Sequence, residues 1–124
     1  MSKFVRIATQ FKSLALLKTS LQDLNVPYRE DAQFRHHWSG FSGTVPLVVN
    51  LSGVLIGFRP TAEDTYEIIG DDSQIARAAS PLDRIRQRYA YHSVLEQTAS
   101  AGFELVETTT DRNNVIRMTV RRWS

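Results

Sequence analysis

A chain of 124 residues suffices for one domain with a buried core and falls short of two. Hydrophobic residues at 42% and charged residues at 23% argue against disorder, and the absence of cysteine excludes disulfides, thiolate nucleophiles, iron–sulfur clusters and cysteine-based zinc sites. Fifteen basic against 13 acidic residues leave a net charge of +2, too small alone to mark a nucleic-acid binder, so the question is whether the 12 arginines gather in space.

Phe4 to Ala8 is a β-prone run and is expected to be the first strand. Ser13 offers a helix N-cap, and Leu14, Leu17, Leu21 and Leu24 then recur on one helical stripe, which reads as core packing. Asn25 tolerates the left-handed conformation that ends a helix, and Pro27 prevents its return. Residues 28 to 43 read as a loop, with one short strand at Val26 to Glu30. Thr44 to Leu51 and Val54 to Arg59 flank Ser52-Gly53 and predict a hairpin. A further strand is expected from Thr65 to Ile69, closed by a turn at Gly70 to Ser73. Ser80-Pro81-Leu82-Asp83 predicts a helix start with Ser80 as cap, and Leu82, Ile85, Tyr89, His92, Leu95 and Ala99 share one face of that helix. Gly102 is placed to end it. Phe103 to Thr108 and Val115 to Trp123 predict two last strands, joined through Asp111 to Asn114. The expected fold is a single α+β domain over residues 1–124. One mostly antiparallel sheet of five to seven strands carries two main helices on one face.

No apolar stretch is long enough to span a bilayer, and no apolar run follows the basic N-terminal residues, so no membrane insertion and no secretory signal are expected. No serine elbow, paired-carboxylate site, phosphate loop or dinucleotide fingerprint is present, which points away from an enzyme and from any cofactor. Four groups of residues remain as site candidates. His36 and His37 are adjacent and would need a third ligand, such as Asp31, Asp71, Asp72 or His92, to hold a metal, so solvated loop histidines are the expectation. Trp38 and Phe41, set among glycines, could form an aromatic lip on a ligand loop or simply seal the core. Arg84, Arg88 and Tyr91 share a helical edge, either as a solvated surface or as a patch for an acidic partner or a phosphate backbone. Arg117, Arg121 and Trp123 alternate on one face of the last strand. They suit stacking of single-stranded nucleic acid, or an edge strand whose charges deter sheet-to-sheet association.

Several stretches carry a resemblance: Met1 to Gln10, Ile56-Gly57-Phe58, Gln87 to Leu95, Gly102-Phe103 and the closing Arg122-Trp123-Ser124. In order and over nearly the whole chain they resemble a family of short uncharacterised proteins of red-algal plastids, cyanobacteria and cyanophages, the domain of unknown function 1257. The chain departs from that pattern at Asp71 to Ala79, where family members carry tryptophans. The resemblance implies a cytoplasmic or stromal location, and supplies no catalytic residue. Related genes lie near an AAA-type ATPase gene in some bacteria, which implies an adaptor role with such an ATPase as protein partner. The function expected is therefore a non-enzymatic interaction module with an arginine–aromatic surface. Single-stranded nucleic-acid binding is the alternative, and a histidine-based or metal-assisted enzyme using His36, His37 and His92 is the third.

Overall fold

The computed structural model describes residues 3–113 and 115–122. Its elements run β1 (Phe4–Ala8), α1 (Leu14–Asp23), β2 (Tyr28–His36), β3 (Phe41–Leu51), β4 (Val54–Pro60), β5 (Tyr66–Asp71), α2 (Asp72–Ile75), a 3-10 turn (Ala76–Ala78), α3 (Ala79–Ser100), β6 (Phe103–Thr110) and β7 (Ile116–Arg122). The α+β class is as expected. Five strands form one antiparallel sheet in the order β1-β5-β4-β3-β2, whereas, among the described residues, β6 and β7 pair only with each other. The last hairpin is thus a separate two-stranded sheet and not an extension of the first.

The first helix forms where the leucine stripe places it. The Ser13 side chain accepts the Leu16 N–H at 3.1 Å, and Asn25 ends the helix at φ 56°. Leu17 and Leu21 are fully buried beside Ile56, Phe58 and Ile68 of the sheet, and Leu82, Ile85 and Tyr89 bring α3 to the same core. The Tyr89 hydroxyl accepts the N–H groups of Lys12 and Ser13, each at 2.9 Å, so α3 caps the approach to α1. Ser52 and Gly53, at φ 55° and 84°, make the turn between β3 and β4.

The helix cap expected at Ser80 lies inside α3, because residues 72–78 are already helical and the winding continues through them. Asp71 is the residue that starts the helical run, its side chain accepting the Ser73 N–H at 2.8 Å, where a simple turn was expected.

The segment expected to be a loop is mostly strand. β2 runs to His36, four residues turn, and β3 begins at Phe41. Its strand character is masked by charge: Arg29, Glu30, Asp31, Gln33 and Arg35 are exposed on an edge strand. The ribbon also changes course midway. Asp31 takes φ 48° and has no ladder partner; between the pairs Glu30↔Leu47 and Ala32↔Val45 it faces Pro46, which has no N–H to give. Before this point Tyr28, Leu47 and Val49 pack with the helices; beyond it Ala32, Phe34, Phe41 and Val45 pack with Val48, Ile69 and Phe4 in a second cluster. The tip of the β2–β3 ribbon therefore folds across the sheet face that carries no helix. Gly57 makes room for it: a Cβ there would meet Ile69 at 2.8 Å and Phe34 at 3.4 Å.

Candidate functional site

His36 is held at both ring nitrogens. Its Nε2 lies 2.7 Å from Asp71 Oδ2 and its Nδ1 lies 2.7 Å from Ser39 Oγ, with only 5% of the residue exposed. This overturns the expectation of solvated loop histidines at His36, while His37 is exposed as expected. Hydroxyl, imidazole and carboxylate in this order are also the order of a nucleophile relay. Here, however, the contacts close a turn. The Ser39 N–H also points at Nδ1, at 3.1 Å, and Ser39 Oγ accepts the Phe41 N–H at 3.1 Å. The imidazole ties the ribbon tip to the end of β5, two elements 35 residues apart, a pairing that local sequence patterns do not reveal. Among the described residues no three His, Asp or Glu side chains gather where they could hold a metal ion.

Phe41 is no lip. Its ring stacks on Phe4 with centroids 4.6 Å apart, and the Arg59 guanidinium lies over both rings at 5.2 and 5.6 Å. Glu67, 6% exposed, holds that guanidinium at 2.8 Å and Arg6 at 3.0 Å. Burial raises the Glu67 pKa, and the hydrogen bonds from Arg59 and Arg6 outweigh it, leaving the carboxyl below its ordinary range. Trp38, 66% exposed, meets the His37 ring edge-on at 6.2 Å, and both side chains of this loop face solvent.

On α3 the structure brings Arg88 and Tyr91 together, with the guanidinium 4.4 Å from the ring centroid. It adds two residues to them. Asp23, at the end of α1, accepts from Arg88 at 2.8 Å and lies 2.5 Å from His92 Nε2, and His92 meets the Tyr91 ring edge-on at 5.2 Å. The Arg88 hydrogen bond and then His92 pull the Asp23 carboxyl below its usual pKa, against the effect of burial. Asp23 was absent from the sequence candidates because its partners lie 65 and 69 residues away. Arg84, one turn earlier, is exposed and makes no ion pair among the described residues.

Arg117 and Arg121 do lie on one face of β7, across from Thr109 and Glu104 respectively. Arg121 pairs with Glu104, Arg122 lies over the Phe103 ring at 5.7 Å, and Arg117 has no ion pair among the described residues. Trp123 lies outside the described residues. The candidate arginines thus lie in two groups, one on the edge of α3 and one on β7, while Arg6 and Arg59 share Glu67. Val94 on α3, Val106 on β6, Val120 on β7 and Val115 in the loop between the two strands are exposed.

Against known proteins, the chain belongs to the family described as "Protein of unknown function (DUF1257)", matched over residues 20–119. It is similar to "Uncharacterized protein ycf35" of Guillardia theta, 31% identical over 99% of this chain and 98% of the relative. The proteins of the same name from Pyropia yezoensis and Cyanophora paradoxa are each 29% identical, over 100% and 99% of this chain and 99% and 98% of the relatives. These are plastid proteins of a cryptophyte, a red alga and a glaucophyte. No solved structure matches the chain. Among the described residues no helix is long and apolar enough to cross a membrane.

Proposed function

We propose that this protein is a non-enzymatic interaction module. On this reading it takes a protein partner through the arginines of β7 and those on the edge of α3, and works in the cytoplasm or stroma. One observation carries it. β7 holds Arg117, Arg121 and Arg122 and no acidic residue, on a strand paired along one side only, while exposed valines lie on the same hairpin. Exposed cations steer an acidic partner, and apolar surface beside them gives it something to bury. Single-strand nucleic-acid binding through Arg117, Arg121 and Trp123 has less support, because the ring it would stack on, Trp123, lies outside the described residues.

The double variant Arg84→Glu with Arg117→Glu tests this, since neither residue makes an ion pair among the described residues. It should unfold with the parent, within about 0.5 kcal/mol. It should fail to retain, in a pull-down, the partner that the parent retains, with an AAA-type ATPase as the first bait. Unchanged retention would remove this surface from consideration.

A further inference from the structure

We infer that β7 is a docking edge for an extended acidic segment of the partner protein, which adds to the β6–β7 hairpin as a third strand. This rests on the interaction reading above and names its partner's chemistry and binding mode.

A two-stranded antiparallel sheet is marginal in water, and each of its strands leaves one row of N–H and C=O groups without a strand partner. The two rows here are not equivalent. Helix α3 packs chiefly against β6 and less against β7, which leaves β7 as the outer strand. Its residues Arg117, Thr119, Val120, Arg121 and Arg122 are all exposed. A free edge with exposed apolar side chains is a template for strand addition, and the charges on it decide which strand is admitted.

Those charges work against the centred pairing with a second copy. A two-fold antiparallel pairing of β7 centred on Thr119 sets Arg117 of one copy against Arg121 of the other, and like charges directly opposite destabilise a ladder. An acidic strand meets the opposite condition. Residues alternate faces, so Arg117 and Arg121 lie on one face with Thr119 between them, and Met118 and Val120 lie on the other. The complementary segment therefore reads acidic, apolar, any residue, apolar, acidic. Its carboxylates meet Arg117 and Arg121 while its apolar pair covers Met118 and Val120. Arg117 is the open cation, with Thr109 opposite it and no ion pair among the described residues. The guanidinium of Arg121, already on Glu104, has further donors for a second carboxylate. Such an edge disfavours that pairing of copies and favours an acidic strand.

The experiment titrates a fluorescent peptide, Gly-Glu-Val-Thr-Val-Glu-Gly, into the full chain and follows anisotropy. A shuffled peptide of the same composition and two alternately N-methylated forms serve as comparisons. The sequence in order should bind. Arg117→Glu should weaken it at least about fivefold. Methylating the N–H groups on one side of the peptide should weaken binding about tenfold or more, while methylating those on the other side changes little. Absence of binding, equal binding of the shuffled peptide, or indifference to both methylations overturns strand addition. So does sedimentation showing a dimer that Arg117→Glu dissolves. If the peptide fails while whole-partner retention still depends on Arg84 and Arg117, this inference falls and the interaction reading stands.

Discussion

The molecule holds two long-armed hairpins with opposite fates. The β2–β3 ribbon bends at Asp31, lays Phe34 against Gly57 and Ile69, and is tied down by His36 on Asp71 and by Arg59 over Phe41. The β6–β7 hairpin pairs only with itself, carries a register shift between Leu105 and Glu107, and leaves Val106 53% exposed. Both ribbons are rich in charge, so charge does not separate them. What separates them is whether the apolar residues past the turn have a surface to land on. The first ribbon finds the bare face of its own sheet; the second finds only part of α3, and its remaining apolar surface is left for another molecule.

The sharpest way to break this contrast is Phe34→Ala. It empties a site that is 4% exposed and should cost about 3–5 kcal/mol, read from urea unfolding. A loss near zero would mean that the ribbon tip is not anchored. Next is Glu67→Gln, which weakens the hold on Arg59 above the Phe4 and Phe41 rings and should cost about 1–3 kcal/mol at neutral pH. The folded pKa of Glu67 is lowered, so its contribution is complete above the ordinary glutamate range, about 4.3, and drains as pH falls through the lowered value. The variant should therefore lose less of its stability than the parent in acid, and parallel acid curves would contradict this. The smallest effect belongs to the other hairpin. Val120→Thr, at a residue 36% exposed, should change stability by about 0.5 kcal/mol or less while weakening the acidic peptide. A large loss of stability would show that the hairpin is already part of the core.

The parts of the fold legible in sequence are those written in local signals. The leucine stripe with Ser13 and Asn25 marks α1, Ser52-Gly53 marks the β3–β4 turn, and Gly102, at φ 85°, marks the end of α3. The strand β2 was hidden because its outer side faces water and its inner residues change face at Asp31. Ser80-Pro81 is a sound helix-start signal, overridden because the preceding residues were already wound. Of the site, the edge shared by Arg88 and Tyr91 and the alternation of Arg117 and Arg121 follow from helical and strand periods. The roles of Asp23, Glu67 and Asp71 do not, since each gains its meaning from a residue tens of positions away.

The bend at Asp31 also imposes an order in time. The β2–β3 ribbon pairs residues close in sequence and can zip early, but the rings beyond the bend stay wet until their landing ground is complete. That ground includes Phe4, on a strand that must first slot beside β5 through contacts such as Arg6 to Glu67, 61 residues apart. The bare face is thus the last region to dry, and the ribbon tip is the last part to find its berth.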